Sequence, residues 1–379
     1  MFRRKSDDRW QANLTLPDGG RKSFYGTTKR EAREKLDAAK ADLLRGLPVR
    51  TDERMTVGRY LPEWLAAHGM EIRPGTYIYY GKLIRLHLLP RLGGVRLVQL
   101  APTTLQRLYA DLVAEKATGG AGLSPSSVAV IHQILHAALR RAAEHGLVAR
   151  NVADLVRPPR RVPPDIRPLS ATQARALLEV ARGERLEAVF VLALASGLRI
   201  GELLALRWSD VDLERRQLSV RRTLSWLPAH LRGVSTPSFG EPKTSRSRRR
   251  ILLADPAIAA LRTHRARQAE ERLRAGTAWA AEWHESDLVF CSEAGEPLRG
   301  EHVRRIHRRL LRAAALPRIR FHDLRHTCAT LLLLANINPK VVSELLGHSS
   351  VAMTLDVYSH VLPDMQEDAA EVLAAALGG

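Results

Sequence analysis

The chain is organised around the stretch Leu345-Leu346-Gly347-His348-Ser349-Ser350, and Tyr358 follows ten positions after the histidine. A short helix is predicted to lead into this stretch, because Asn338 can cap it and Pro339 suits its first position. Gly347 suits a left-handed stop at its end. The apolar residues of this helix are Val341, Val342, Leu345 and Leu346. The pattern therefore predicts a helix that ends immediately before His348.

Tyr358 belongs to a second helical run, in which Val351, Leu355 and Val361 recur at helical spacing. Its neighbours Asp356 and Ser359 are polar, so it is not simply a core aromatic. Considered alone, a half-buried structural tyrosine is still the better interpretation.

A second motif lies upstream, in Phe321-His322-Asp323-Leu324-Arg325-His326-Thr327. His322 and Arg325 are three residues apart and are therefore expected on one face of a helix. His322 and His326 are four apart, as in a metal-binding helix, but Asp323 stands where the metallopeptidase motif has Glu.

Two further basic residues precede these motifs. Arg199 lies in the run from Ala195 to Leu204, at the mouth of a predicted apolar helix that Trp208 to Asp212 is expected to end. Lys243 lies in a basic, hairpin-like stretch between Arg199 and His322. Taken singly, Arg199 is more readily an ion-pair partner of Glu202, and Lys243 one more solvated charge.

Together these residues are more specific than any one of them. The order Arg199, Lys243, His322, Arg325, His348 and Tyr358 resembles the catalytic set of the tyrosine recombinases, the family of phage and mobile-element integrases and chromosome-dimer resolvases. The resemblance is strong over residues 168–379 and moderate before them. It implies a site-specific DNA recombinase of the integrase type, which cuts and rejoins strands through a covalent 3′-phosphotyrosine.

The implied chemistry suits these residue types. Attack on a phosphodiester adds charge to its non-bridging oxygens, and the planar guanidiniums of Arg199 and Arg325 can each donate two parallel hydrogen bonds to them. Tyr358 is the implied nucleophile, and its phenol, with an ordinary pKa of about 10, needs help to lose its proton. The covalent bond conserves the phosphodiester energy, so no ATP, metal or other cofactor is expected.

The other members of the set assist that step. His322 is the expected base or proton shuttle, because the pKa of histidine lies near working pH. Lys243 is the expected acid for the leaving 5′ oxygen, with its pKa lowered by neighbouring arginines. His348 is expected to donate to the phosphate, and Glu202, one helical turn after Arg199, to orient the site.

Composition agrees with a polyanionic partner. The net charge is +19, from 59 Lys and Arg against 40 Asp and Glu, and the excess is spread along the chain. Such a balance favours binding of DNA, although an arginine-rich composition alone would raise the charge as well. The two cysteines, Cys291 and Cys328, form no CxxC pair, and no secretory signal opens the sequence, so a bacterial cytoplasmic location is expected.

Four segments are predicted. The resemblance implies that residues 1–50 form an arm-type DNA-binding module, 51–155 a helical core-binding (SAM-like) domain, 156–167 a proline-rich linker and 168–379 the catalytic domain. A small solubilising extension and a generic helical bundle are the alternatives for the first two segments. The fold class is mainly α with small β elements (α+β). In the first segment, Trp10 to Leu16 and Arg21 to Tyr25 alternate as strands, and Thr28 with Glu31 forms a capping box.

Later elements follow from similar signals. Helices are expected to begin after Thr56, near Thr76, after Thr103, after Ser124 and after a second capping box at Ser170. Strands are expected at Gln217 to Val220, Arg250 to Leu253 and Asp287 to Phe290. The amphipathic C-terminal segment contains Met365, Ala369, Val372, Leu373 and Ala376, and either docks into a neighbouring subunit or packs on its own domain.

Basic residues outside the catalytic set are candidate DNA contacts. They are Arg160, Arg161, Arg246, Arg248, Arg304 and Arg308. The last two belong to an arginine-rich helical face that reads either as a phosphate-facing stripe or as a solvated surface.

The resemblance further implies a homotetramer on double-stranded core and arm sites, with a possible accessory bending or directionality protein. Three alternatives stay open: a type IB topoisomerase, a DNA-binding regulator without chemistry, and a metallohydrolase using His322 and His326. Retention of activity in EDTA would argue against the last.

Overall fold

The computed structural model describes most of the chain. The residues described are 1–3, 8–15, 21–44, 54–117, 119–120, 122–160, 167–227, 235–241, 248–280, 283, 287–348, 350–358, 374–375 and 377. The backbone divides into two compact units, Met1–Pro163 and Pro164–Gly379. The described part is mostly helical with small sheets, which confirms the predicted fold class.

The first unit begins with a three-stranded antiparallel sheet packed on one helix. The elements are β1 (Phe2–Arg3), β2 (Trp10–Thr15), β3 (Arg21–Gly26) and α1 (Lys29–Leu44). Alternate β2 residues Ala12 and Leu14 are buried against Ala32 and Leu36 of α1, as the period-two and helical patterns predict. The capping box is only half formed: Thr28 accepts from Glu31 N, but the Glu31 carboxylate reaches Thr27 instead.

The rest of the first unit is helical. It contains α2 (Val57–His68), α3 (Pro74–Leu83), a π-helical turn (Ile84–Leu88), α4 (Leu89–Leu92), α5 (Pro102–Ala117), α6 (Pro125–Glu144) and a short 3₁₀ turn (Val152–Leu155). Helices begin where predicted at Thr56 and Ser124, whose side chains cap α2 and α6. The start of α5 at Pro102 is slightly earlier than expected. This helical part has a core of its own, built on residues such as Leu88, Leu105, Ile131 and Ile134.

The second unit surrounds a buried helix. Its helices are α7 (Ala171–Ala181), α8 (Glu187–Ser196), α9 (Ile200–Leu203), α10 (Asp255–Ala275), α11 (Gly300–Ala313), α12 (Asp323–Leu334), α13 (Pro339–Leu346) and α14 (Val351–Tyr358). Helix α8 is apolar on all sides and packs against α7, α10 and α12. A helix that is apolar all round belongs in a core.

Two small sheets complete this unit. Strands β4 (Val211–Asp212), β5 (Gln217–Val220) and β8 (Arg249–Leu252) form one sheet, and β6 (Thr223–Leu227) and β7 (Thr236–Gly240) form a hairpin. Both sheets are antiparallel, with Val220 opposite Arg249 and Thr223 opposite Gly240. The predicted strands at Gln217 and Arg250 are confirmed within one residue.

Two local predictions for this unit are wrong. The helix at Arg199 ends at Leu203, and Trp208–Asp210 is a separate 3₁₀ turn that leads into β4. The stretch from Asp287 to Phe290 makes only an isolated bridge, Leu288 to Arg207. In both cases a short apolar run is buried in the core. Its hydrophobicity reflects that burial and does not by itself predict a helix or a strand.

Candidate active site

The first part of the site is the connection from α8 to α9. Gly197 ends α8 in the left-handed conformation at φ 60°, and Arg199 directly precedes α9. A Cβ at Gly197 would overlap Cδ2 of Leu346 and would lie 3.5 Å from Cys328 Sγ. Glycine is therefore required here both for its backbone conformation and for the close approach of α13.

Glu202 holds Arg199 in place. This carboxylate is only 3% exposed, and its Oε1 accepts from Arg199 Nη1 at 2.7 Å while Oε2 accepts from the Arg199 backbone N–H at 3.1 Å. Oε2 also accepts from Arg249 Nη2 at 3.2 Å. Burial acts to raise the pKa of Glu202, but Arg249 and Arg199 outweigh it, so the pKa lies below its ordinary value. Glu202 is thus an anion between two guanidiniums.

The second part of the site is the start of α12. His322 immediately precedes this helix, and Arg325 lies in its first turn with only 3% of its surface exposed. Arg325 Nη1 donates to the carbonyl of Gly197 at 2.8 Å. This bond ties α12 to the connection that carries Arg199, so two segments far apart in sequence meet here.

Asp323 lies between His322 and Arg325 in the sequence, and both oxygens of its carboxylate accept hydrogen bonds from Arg320. Arg320 donates to its Oδ1 at 2.7 Å from Nη2 and to its Oδ2 at 2.7 Å from the backbone.

His322 and His326 stack edge to face, with ring centroids 5.3 Å apart. In the part of the chain that the structure describes, no group of three or more His, Cys, Asp or Glu side chains is arranged to hold a metal ion.

The third part of the site is the turn after α13. As predicted, Asn338 caps α13 and Gly347 ends it in the left-handed conformation. His348 follows, and its Nδ1 lies 2.8 Å from the hydroxyl of Thr354 on α14. Of the predicted apolar stripe, Val342 and Leu346 are buried, whereas Val341 is 51% exposed.

The two arginines act electrostatically on both histidines. Burial, the largest cause, together with the charges of Arg325, Arg199, His326 and Arg249 lowers the pKa of His348 to about 4. The pKa of His322 is likewise lowered by burial, then by Arg325 and Arg199. Both imidazoles are therefore neutral near pH 7, and the four side chains form one cluster. We call Arg199, Arg325, His322 and His348 the cationic cluster.

The predicted nucleophile lies at the end of the next helix. Helix α14 begins at Val351 and ends at Tyr358, and it packs against α13. The side chain of Tyr358 and all of Lys243 lie outside the residues that the structure describes, as do Arg161 and Arg246.

The remaining predicted residues lie outside the cluster. Arg160 is exposed in the first unit, and Arg248 is exposed directly before β8, where it pairs with Glu241. Arg304 and Arg308 are exposed on α11 and share Glu301 as an ion-pair partner. The first turn of α11 adjoins the site, because a Cβ at Gly300 would lie 3.4 Å from Ile200 and from Arg304.

The residue that sequence reasoning missed is Arg249. Its side chain is 7% exposed and reaches Glu202 from β8. The sequence carries no clear signal for it, because Ile251, Leu252 and Leu253 are all apolar. Only the structure shows that Arg249 shares a face with the buried Ile251 and Leu253, whereas the intervening Leu252 is 75% exposed.

Comparison with known proteins identifies the family of this chain. A model described as the phage integrase family matches residues 167–365, and one for the phage integrase N-terminal SAM-like domain matches residues 56–113. A tyrosine recombinase XerC-like protein of Caldanaerobacter subterraneus subsp. tengcongensis is 31% identical over 364 residues, which cover 93% of this chain and 91% of the relative. An integrase of Streptomyces ambofaciens is 33% identical over 92% of this chain and 89% of its own.

Solved structures share the fold. The Tn1549 transposon integrase in complex with a circular intermediate DNA matches with a TM-score of 0.68 and 23% identity, over 84% of this chain and 99% of that one. A lambda integrase tetramer bound to a Holliday junction matches with a TM-score of 0.57 and 20% identity, over 91% of each chain. The family model and the two relatives show that this chain belongs to the phage integrase family and is a tyrosine recombinase, an enzyme that cleaves and rejoins DNA strands.

Proposed function

We propose that this recombinase is the integrase of a phage or other mobile element and that Tyr358 forms the covalent bond to DNA. The observation that carries the proposal is that Arg325 donates to the Gly197 carbonyl, two residues before Arg199. The charges of both arginines also act on His322 and His348. Helix α14 starts three residues after His348 and ends at Tyr358. Only ten positions of sequence therefore separate the candidate nucleophile from His348 of the cluster.

In the proposed step, the Tyr358 oxygen attacks the phosphorus of one DNA phosphodiester. A bond forms between that oxygen and phosphorus, the bond to the 5′ oxygen breaks, and the DNA keeps a 3′ phosphate on the enzyme. The phenolic proton passes to His322, and Lys243 gives a proton to the leaving 5′ oxygen. Attack by the 5′ hydroxyl of the partner strand then reverses these transfers and rejoins the DNA.

Arg199 and Arg325 stabilise the charge that develops on the non-bridging oxygens. Fixed donors aimed at such charge contribute on the order of 3 kcal/mol each to the transition state. Both are held in advance, Arg199 by Glu202 and Arg325 by the Gly197 carbonyl. Little reorganisation is therefore needed when DNA binds.

His348 acts as a neutral hydrogen-bond donor. With its pKa at about 4, the ring carries one N–H at neutral pH. If the Thr354 hydroxyl donates to Nδ1, the proton lies on Nε2 and can be donated to the phosphate. His322 is neutral for the same reasons, and a neutral imidazole can accept the tyrosine proton.

The DNA in this proposal is double-stranded and is gripped by arginines around the site. Arg304 and Arg308 lie on the α11 flank whose first turn adjoins Ile200, so this flank would follow the phosphates next to the scissile one. Their shared partner Glu301 would be displaced or bridged by a phosphate. Arg160, Arg161, Arg246 and Arg248 are the other proposed contacts.

The proposed organisation follows the predicted segments. Residues 1–50 bind arm sites, 51–155 bind core sites, and 168–379 carry the chemistry, with 156–167 as linker. The lambda integrase tetramer on a Holliday junction supports a homotetramer as the recombining form. We place the enzyme in the bacterial cytoplasm, with an accessory bending or directionality protein. None of the described helices is long and apolar enough to cross a membrane.

The test uses a suicide duplex that spans an end of the element, identified from the DNA that flanks the gene, with a nick near the crossover. Wild-type protein should form a covalent adduct that survives denaturing electrophoresis, with or without EDTA. Tyr358→Phe should form none, while Tyr79→Phe, which removes an exposed phenol from α3, should behave as wild type. An adduct with Tyr358→Phe, or none with the wild type, would refute the assignment. Relaxation of plasmids that lack the site would favour a topoisomerase instead.

A further inference from the structure

We propose that Arg249 is a positioning residue for strand cleavage. It fixes the positions of Arg199 and His348 relative to each other and does not contact DNA. The inference rests on the proposed roles of those two residues.

Arg249 opens β8 and points into the protein. Its side chain is 7% exposed, whereas its chain neighbours Arg248, directly before the strand, and Arg250, on the strand, are exposed. A guanidinium is placed in such surroundings at a large cost in hydration unless charged or polar acceptors surround it. Burial, with a smaller effect of Arg199, lowers the pKa of Arg249 below its ordinary value, and Glu202 opposes that shift without cancelling it.

Two acceptors are in place, and each leads to a residue of the cationic cluster. Nη2 donates to Glu202 Oε2 at 3.2 Å, and Glu202 in turn holds Arg199. Nε donates to the carbonyl of Leu345 at 2.5 Å, in the last turn of α13. That carbonyl lies at the negative end of the helix, three residues before His348. One side chain therefore links β8, the Arg199 turn and the His348 turn.

The charge arrangement explains why the link matters. Glu202 shares its negative charge between Arg249 and Arg199, so it orients Arg199 without fully neutralising it. Without Arg249, the buried carboxylate faces Arg199 alone and competes more strongly with the DNA phosphate for that guanidinium. The end of α13 also loses a donor. A displacement of about 1 Å in such a site reduces the rate on the order of 100-fold.

The experiment compares Arg249→Met, Arg249→Lys and Arg250→Met on the full chain. Arg250→Met is the matched control, because it removes one positive charge from the exposed face of the same strand. Single-turnover adduct formation on the suicide duplex gives the cleavage rate, gel shift gives the Kd for DNA, and thermal melting reports folding. We expect Arg249→Met to cleave about 100-fold more slowly with its Kd within about 3-fold of wild type. Arg249→Lys should recover part of that loss, and Arg250→Met should cleave within about 3-fold of wild type.

A double variant tests the route through Glu202. If Arg249 acts through this carboxylate, the fold-decrease in cleavage rate of the double variant Glu202→Gln, Arg249→Met is much smaller than the product of the fold-decreases of the two single variants. Three results would each overturn the inference. The first is a double variant whose rate loss equals the product of the two single losses. The others are a normal cleavage rate for Arg249→Met, and an increase in its Kd for DNA as large as its decrease in rate. Should Arg249→Met melt below the assay temperature, Arg249→Lys decides: a rate within about 3-fold of wild type overturns the inference, and a loss of about 10-fold or more supports it.

Failure of the proposed function would look different. Tyr358→Phe and Arg199→Ala are run alongside, and both should abolish the adduct. If either retains it, the proposed site is wrong whatever Arg249 does. If both abolish it and Arg249→Met still cleaves normally, only the inference about Arg249 fails.

Discussion

Substitution of Gly197 by alanine tests the packing on which the site depends. Gly197 has a φ of 60°, and its carbonyl accepts from Arg325 Nη1 at 2.8 Å. An added Cβ would overlap Cδ2 of Leu346, which is fully buried, and would lie 3.6 Å from Arg325 Cγ. One methyl group therefore perturbs the backbone and the packing of α13, while its distance to Arg325 is an ordinary van der Waals contact.

The magnitude follows from two separate effects. An alanine in the left-handed region costs about 1–2 kcal/mol in free energy of unfolding. Relieving the overlap requires the Leu346 methyl to move by on the order of 1 Å in a packed core, and such overpacking costs about 1–3 kcal/mol. The expected total is about 2–5 kcal/mol.

Gly183→Ala is the matched control. Gly183 also has a positive φ, of 79°, but a Cβ there would meet nothing within 4 Å. The free energy of unfolding of this variant should fall only by the cost of the left-handed backbone conformation, about 1–2 kcal/mol. Urea unfolding of both variants and the wild type, with the m-value checked for constancy, gives the two losses.

The difference between the variants isolates the overlap with Leu346. We expect Gly197→Ala to be less stable than Gly183→Ala by about 1–3 kcal/mol and to form the covalent adduct more slowly, since Leu346 lies two residues before His348. Losses equal within about 0.5 kcal/mol would refute the reasoning, because the close approach of α13 would then have no energetic consequence.

Two further predictions concern stability against pH and binding of DNA. His307 is 1% exposed between two phenylalanines, and burial lowers its pKa to about 4, below its unfolded value of about 6.5. The unfolded chain therefore binds the proton first as pH falls, so His307 should lower the free energy of unfolding by about 2 kcal/mol by pH 5. The variant His307→Phe should lack this contribution when melting is measured against pH. Arg304→Ala and Arg308→Ala should each weaken DNA binding and reduce the dependence of log K on log salt by about 1, whereas Arg262→Ala on α10 should not; equal slopes for all three would argue against the α11 flank.

Much of the local structure follows from short-range sequence signals. Asn338, Pro339 and Gly347 fix both ends of α13, and Ser170 with Gln173 forms the predicted capping box of α7. These signals work because each satisfies a backbone group or a backbone conformation within one turn of the chain. The same holds for the strand alternation of β2, whose buried face is visible in the residues themselves.

The sequence by itself determined the fold class, the family and the list of candidate catalytic residues, because these depend on residue type, order and local spacing. Tertiary structure alone decided which side chains meet: Arg325 on the Gly197 carbonyl, Glu202 between Arg199 and Arg249, and the close approach of Leu346 to a glycine. It also corrected the extent of the Arg199 helix, which ends after one turn. Such contacts join positions up to about 150 residues apart, and their geometry is set by the packing of α8, α12 and α13 rather than by any local propensity.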